Sequence, residues 1–325
     1  MLSSRPARRP FRFFIFFVPM TLLALILTLV LEQFRPLNAA RYLYPVLSSI
    51  GQYFEDRFND GQARHGTLAW CLMVLPPVAL VAILSFGLYE LHALAGLVFS
   101  VGVLYCTMGF RHSSHFFTRV HASLRAQDLP HARKLIGEWR GHLHDQSGSE
   151  EIARLTLEKG IVGAHRQVFG VMICFILLGP GGALLYRLAD YFAADWGARQ
   201  GPEAGDFGRF AQRAFVAIEW LPARVTAMAF SIVGDFEDAA HCWRTQSPQW
   251  PDRNEGILLA AGAGALGVRL GQTIVQSGEL LARPELGTGD EAAVESLQSF
   301  VGLVRRTLVL DGLVLLLLSL SRLAG

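Results

Sequence analysis

The chain has 325 residues, of which 52% are hydrophobic and only 17% are charged, and its mean hydropathy is positive. This composition is typical of a protein dissolved in a bilayer, so we expect one membrane domain over residues 1–325 rather than two soluble domains. The formal net charge of +2, with no basic stripe interleaved with aromatic side chains, argues against a dedicated nucleic-acid-binding protein.

Five apolar segments are candidates to enter the membrane, because about 20 residues at 1.5 Å per residue cross a roughly 30 Å hydrocarbon core. They cover residues 13–31, 67–89, 91–110, 168–196 and 307–321. The first follows four arginines, as a signal peptide would, but it is long and has no clean small-residue cleavage site after it. We therefore interpret it as an uncleaved anchor. The second and third are separated only by Glu90 and predict a tight helical hairpin.

The fourth segment is interrupted by the run Gly-Pro-Gly-Gly at residues 179–182. Each of its two pieces is too short to cross a bilayer as a straight helix. The sequence therefore predicts a broken or re-entrant helix. If the chain enters and returns there, the polar segments 111–167 and 197–306 lie on the same face of the membrane.

The polar segment 111–167 contains nine lysine and arginine residues, which favours the cytoplasm. Asp128 and Ser147 are predicted to cap helices within it. The expected fold class is an all-α polytopic integral membrane protein with cytoplasmic helical segments. The arginines before residue 13 favour a cytoplasmic N-terminus as well. Three full spans between them would place the N-terminus and segment 111–167 on opposite sides of the membrane, so the orientation of the N-terminus is left open.

Several other residue patterns bear on metal binding, disulfides and nucleotide binding. Six histidines lie between His112 and His144, but no carboxylate or cysteine completes a metal site, and we assign no metal ligand. The four cysteines are far apart and have no CxxC spacing, so we expect buried thiols. The small-residue run at 256–272 predicts close helix packing; no strand precedes it, which excludes a dinucleotide-binding motif.

The order of motifs along the chain carries a family resemblance. The motifs are LEQFRP at 31–36, YPVLSSIGQYFEDRFN at 44–59, SLRAQDLPHARKLIGEW at 123–139, LLGPGGALLYR at 177–187, WLPAR at 220–224, NEG at 254–256, GALGVRLG at 264–271 and RPELG at 283–287. Together they resemble the CobD/CbiB family of membrane proteins, whose type member is adenosylcobinamide-phosphate synthase. The resemblance covers approximately residues 20–290.

The resemblance implies a multi-pass protein of the bacterial inner membrane that joins an aminopropanol phosphate to the carboxylate of adenosylcobyric acid. Such a ligase uses ATP and Mg²⁺ and would bind a corrinoid or another small molecule beside membrane lipid. The residues that the resemblance offers for ligand binding are Glu158, His165, Arg166, Arg213, Arg224, Asn254 and Gly256. No residue is assigned a catalytic role, and the alternative for the charged ones is a set of structural ion pairs at the membrane surface.

Two departures from the family pattern separate two hypotheses. The family's E-N-x-x-D cluster reads Val162, Gly163 and Arg166 here, and its paired aspartates after Arg213 read Phe215 and Val216. A valine cannot ligate a metal, and an arginine reverses the charge. These changes resemble the AmpE branch, which implies a non-catalytic membrane sensor or regulator. The C-terminal motifs match the synthase branch more closely, so an ATP-dependent amide-forming ligase is the first hypothesis.

Overall fold

The computed structural model describes residues 9–35, 39–58, 63–142, 144, 146–197, 207–276 and 279–324. Twelve α-helices are present in these ranges. They are α1 Arg9–Phe34, α2 Ala39–Phe58, α3 Ala63–Leu91, α4 Ala93–Thr107, α5 Phe110–Arg125, α6 Leu129–Arg140, α7 Ser149–Ala164, α8 Gly170–Gly197, α9 Arg209–Val233, α10 Phe236–Thr245, α11 Arg253–Leu266 and α12 Val294–Ala324. A π-helical turn, His165–Phe169, joins α7 to α8, and a 3-10 turn, Ser247–Gln249, precedes α11. The predicted class of a polytopic helical membrane protein is confirmed.

Long apolar helices form the membrane part. The stretches long and apolar enough to cross a bilayer are 64–91, 149–197 and 209–233, and shorter apolar helices cover 20–34 and 93–107. Residues 209–233, which we placed in a polar segment, form a helix that is more apolar than expected. This helix, α9, turns exposed apolar side chains such as Met228 and Ile232 outward, as a lipid-facing helix does.

The predicted hairpin of α3 and α4 is confirmed, with its break at His92. The His92 ring accepts a hydrogen bond from the Leu94 amide at 3.2 Å and so caps α4. The Tyr89 and Ser100 hydroxyls, 3.0 Å apart, link the two helices. Among the polar helices, Asp128 caps α6 as predicted, by accepting from the His131 amide. The cap predicted at Ser147 is wrong, because α7 begins after Gly148 without a side-chain cap.

The predicted break in the fourth apolar segment is confirmed at Gly179, whose φ of 68° and ψ of −158° lie outside the helical region. Residues on either side of it meet again. The His165 ring lies 3.2 Å from the Tyr186 hydroxyl, whereas 21 residues of straight helix would separate them by roughly 30 Å. The chain therefore turns back on itself, and 149–197 is not a single straight crossing. We call residues 165–197 the re-entrant hairpin.

Five short strands between residues 268 and 291 are a departure from the predicted helical fold. They are β1 Val268–Gly271, β2 Ile274–Gln276, β3 Glu279–Leu281, β4 Glu285–Leu286 and β5 Asp290–Glu291. β1 pairs antiparallel with β4, with Leu270 opposite Leu286, and parallel with β5. β2 and β3 form a separate antiparallel pair. Gly271 has φ of 76° and would place a Cβ atom 1.9 Å from the Pro284 carbonyl oxygen, so only glycine fits there.

The buried core joins nearly all of these elements. It includes Trp70 of α3, Leu104 of α4, Ile161 of α7, Phe230 of α9 and Leu258 of α11. The glycines of α11 serve close packing, as predicted for the small-residue run. A Cβ atom at Gly264 would lie 2.7 Å from the backbone of α10, for example. A Cβ atom at Gly262 would lie 3.0 Å from the Ile161 side chain of α7, so the polar segments on the two sides of the re-entrant hairpin pack against each other.

The hairpin predicts a specific stability difference between two glycines. Gly182→Ala would place a Cβ atom 2.2 Å from the Cys174 carbonyl oxygen of the opposite arm. We expect it to lower the free energy of unfolding by about 1–3 kcal/mol, measured by denaturation of the detergent-solubilised protein. The matched control is Gly102→Ala in α4, whose Cβ atom would meet nothing within 4 Å. Equal stability of the two variants would contradict the hairpin.

Candidate functional site

The π-helical turn at His165–Phe169 sets the orientation of two neighbouring polar residues. A π turn inserts one residue into a helix and is common at functional sites. Here it leaves the His165 side chain fully buried, while the Arg166 side chain remains 27% exposed. Of these two candidate ligand-binding residues, His165 thus faces the protein interior and Arg166 is partly open to the surface.

His165 belongs to a buried hydrogen-bond chain between the re-entrant hairpin and α9. Its Nδ1 atom lies 3.0 Å from the Thr226 hydroxyl, and its Nε2 atom lies 3.2 Å from the Tyr186 hydroxyl. Tyr186 donates to Glu219 Oε1 at 3.4 Å. Because buried polar groups are costly when unpaired, this chain fixes the hairpin against α9 in one arrangement.

Arg166 lies at the centre of a second group, which we call the Arg166 cluster. Its Nε atom donates to Glu219 Oε1 at 3.0 Å, and its Nη2 atom lies 4.0 Å from Glu255 Oε2. Its guanidinium carbon is 5.2 Å from the centre of the Phe215 ring, a cation–π contact. Asp190 also acts on it electrostatically. Glu219 is fully buried, and within the described residues its Oε2 atom has no hydrogen-bond partner.

Lys159 adds a second positive charge beside the Arg166 cluster. It is exposed, and the charges that act on it are those of Arg140, Arg166, Glu255 and Asp190. Lys159, Val162, Gly163 and Arg166 form the outward stripe of α7 and the π turn. Two cations at one partly exposed surface, flanked by carboxylates, are suited to bind a phosphate group. We call this surface the α7 opening.

Glu158 lies in a separate, closed arrangement, which we call the Glu158 clasp. Its Oε1 atom accepts from the Gly271 amide at 3.0 Å and from Arg283 Nη2 at 3.1 Å. Its Oε2 atom accepts from Arg283 Nη1 at 2.8 Å and from Arg140 Nη1 at 3.5 Å. Burial is the largest influence on Arg140 and lowers its pKa, while the Glu158 charge opposes that effect. The clasp ties α7 to β1 and α6, and both carboxylate oxygens are occupied.

Three further candidate residues fasten α11 to its surroundings. Arg224 Nη1 donates to the Trp220 carbonyl at 2.7 Å and to Asn254 Oδ1 at 3.3 Å. Asn254 in turn donates to the Val216 carbonyl at 2.9 Å. A Cβ atom at Gly256 would lie 2.6 Å from the Ser247 carbonyl oxygen, so this glycine permits a close approach. Arg224 and Asn254 thus form hydrogen bonds that hold α11 in place, and Gly256 permits its close packing.

Arg213 is the one candidate that the structure brings to none of these groups. It is exposed on α9, and no ion pair joins it to a charged side chain in the described ranges. The predicted set therefore divides. His165 and Arg166 lie at the start of the hairpin, and Glu158 lies two turns earlier on α7. Arg224 and Asn254 form a hydrogen-bonded pair. Arg213 contacts none of these residues.

Sequence reasoning missed several residues that the structure makes central. These are Lys159, Tyr186, Glu219, Thr226 and Arg283. Glu219 did carry a signal, because a carboxylate on a helix of this apolar character is expensive unless it has a partner. Because α9 was interpreted as a polar helix, its carboxylate at Glu219 was not recognised as unusual. Arg283 lies 125 residues from Glu158 in the chain, and no local pattern predicts such a pairing.

The residues around the α7 opening do not fit the Mg²⁺ site that the resemblance implies. No group of three or more metal-ligating side chains is placed to hold an ion among the residues described. Each nearby carboxylate faces an arginine: Glu219 and Glu255 face Arg166, and Asp190 lies 3.2 Å from Arg187. The side chain of His112, the first of the six histidines, lies outside the described residues.

Comparison with known proteins agrees with the motif order. A family model described as CobD/Cbib protein matches residues 21–304. A protein of Stutzerimonas stutzeri named cobalamin biosynthesis protein CobD is 36% identical over 253 residues, covering 78% of this chain and 82% of the relative. A protein of the same name from Chromobacterium violaceum is 35% identical over 210 residues, covering 65% and 67%. No solved structure matches the chain.

The ion pair of Arg166 and Glu219 makes a stability prediction. Either Arg166→Met or Glu219→Gln leaves one partner without its counter-charge, and we expect each to lower the free energy of unfolding by about 3 kcal/mol. The double variant Arg166→Met, Glu219→Gln should lose much less than the sum of the two. Denaturation in detergent measures all three.

The matched control for this cycle is Arg213→Met, an exposed arginine on α9, for which we expect a change within about 0.5 kcal/mol. Additive losses in the double variant would mean that the two side chains do not interact.

Proposed function

The chain belongs to the CobD/CbiB family, and from that premise we propose that it performs an amide-forming step of cobalamin biosynthesis. In this step an aminopropanol phosphate is joined to the carboxylate of adenosylcobyric acid, in the bacterial inner membrane. The name of the curated relatives, cobalamin biosynthesis protein CobD, supports the pathway. The observation that carries the proposal is the α7 opening, where α7 and the π turn place two cations near the carboxylate of Glu255.

The smaller substrate matches the charges of this opening. Its phosphate carries up to two negative charges at neutral pH, and Lys159 and Arg166 are the cations on the outward stripe of α7. The Nε–H of Arg166 is engaged by Glu219, but its other N–H groups face the weaker contact with Glu255 at 4.0 Å. Those donors can therefore bind phosphate oxygens without breaking the buried ion pair. The Glu158 clasp holds α7 in position for this contact.

Amide formation also needs a group that accepts a proton from the amine. The amine nitrogen forms a bond to the activated carboxyl carbon, the activating group leaves with its oxygen, and the nitrogen loses a proton. Glu255 is the partly exposed carboxylate nearest Arg166, with a side chain that is 31% exposed. Binding the phosphate would engage Arg166 and free Glu255 to act as the base. The carboxylate is activated by a nucleoside triphosphate, which the family resemblance implies as co-substrate.

The positive charge at the opening comes from the chain itself in this proposal. Arg166 stands where the family pattern has an aspartate, and it lies over Phe215, where the pattern has another. Replacing two acids with a cation and an aromatic ring removes metal ligands and supplies a fixed guanidinium instead. We therefore route no step through Mg²⁺ and assign phosphate binding to Arg166 and Lys159.

The same ion pairs favour a second candidate, an AmpE-like sensor or regulator without ligase chemistry. Glu158, Glu219 and Asp190 are each paired with an arginine. A protein that only binds a ligand has no need of free carboxylates, so this pattern is compatible with signalling. The two candidates differ in whether a covalent product is formed.

Complementation separates the two candidates. The chain is expressed in a bacterium that lacks its own synthase and is supplied with adenosylcobyric acid, and its presence in the membrane is verified. We expect formation of cobinamide phosphate. Lys159→Gln removes one charge-assisted contact worth about 1.5–3 kcal/mol and should lower kcat/KM for the aminopropanol phosphate roughly 10- to 100-fold.

The matched control is Arg125→Gln, an exposed charge at the end of α5 that lies outside the opening, and it should leave the rate unchanged. Absence of product, with the protein in the membrane, would refute the ligase and leave the regulator. Equal losses in Lys159→Gln and Arg125→Gln would mean that the phosphate binds elsewhere.

A further inference from the structure

A cavity that adjoins the α7 opening at Gly163 lies between α5, α7 and α12. It has a volume of about 270 Å³. Its walls include the rings of Phe117 and Phe300, whose centres are 5.2 Å apart, and its floor is formed by Gly160, Gly163 and Ala164. The walls are thus apolar, and small residues of α7 leave the space between the helices open.

The cavity lies where α12 enters the apolar part of the protein. Arg305 lines one end, and Leu308, within the apolar run 307–321, lines another part of the wall. Beyond it α12 exposes large apolar side chains, among them Val309 at 70% and Leu317 at 57%. In a membrane protein such side chains face acyl chains, and an arginine at the end of an apolar run lies at the level of the lipid headgroups. One end of the cavity is therefore at headgroup level and the other faces hydrocarbon.

Arg305 is the charged group of the lining. It is exposed, and the described residues include no ion-pair partner for it. Gln167 also lines the cavity, but its Oε1 atom is fully buried and is not open to a ligand there. The lining thus offers an apolar space and one cation.

We propose that this cavity holds an acyl chain of an anionic phospholipid whose phosphate pairs with Arg305. The volume is below the roughly 300 Å³ at which pockets for drug-sized ligands begin, so it suits part of a chain and is too small for a macrocycle such as a corrin. The anionic charge follows from Arg305. The bound lipid would support the face of α7 next to Lys159 and Arg166.

Lipid retention by the full chain tests this proposal. The protein is purified in detergent, supplied with phosphatidylglycerol or phosphatidylcholine, and the bound lipid is counted by native mass spectrometry. We expect one phosphatidylglycerol per chain, bound in preference to phosphatidylcholine. Arg305→Gln should weaken phosphatidylglycerol binding about fivefold, since one arginine near a lipid surface contributes about 1 kcal/mol.

The matched control is Arg306→Gln, the neighbouring arginine of α12, which does not line the cavity and should change binding less than twofold. Equal effects of the two arginines would indicate general attraction to an anionic surface and overturn the site. Gly163→Leu and the rim variant Val301→Trp should each fill the cavity and abolish retention of the lipid. Retention by both, with unfolding temperatures near that of the wild type, would also overturn it.

Discussion

The reversal of the chain at Gly179 is the constraint on which the rest of the structure depends. Backbone groups in lipid need hydrogen-bond partners, so a break in an apolar helix is tolerated only where protein surrounds it. Here the turn lies against α3, where a Cβ atom at Gly181 would be 3.1 Å from Ala82. The bond between His165 and Tyr186 then holds the two arms together. The reversal places both polar segments where they can meet.

The two polar segments form a site whose charges differ from the acidic site that the family resemblance implies. The guanidinium of Arg166 occupies the space between Glu219, Glu255 and Asp190. A fixed cation among carboxylates satisfies the same local charge balance as a metal ion, and it adds directional N–H donors for a phosphate. Arg166 and Phe215 stand where the family pattern has aspartates, and the two side chains are in contact. The two replacements therefore form one coordinated change of the site.

Much of the helical framework could be predicted from the sequence, because long apolar runs and the Gly-Pro-Gly-Gly break are local signals. The hairpin of α3 and α4, the broken segment and the cap at Asp128 are confirmed on that basis. The strands at 268–291 were missed because a glycine-rich run carries no periodicity. The character of α9 was misread because several of its polar side chains, such as Glu219 and Thr226, face protein. The site was predicted only in part. Arg166 was found from a motif, but Glu219 and Arg283 are partners set by tertiary packing.

The most direct test of the account is the sidedness of the two polar segments. Single cysteines are introduced as Ala126→Cys after α5 and Gln249→Cys before α11, in a chain whose four cysteines are replaced by alanine. Labelling with a membrane-impermeant maleimide is measured in sealed vesicles of known orientation. The account predicts that both positions react from the same side. Reaction from opposite sides would contradict the re-entrant hairpin and the site built on it.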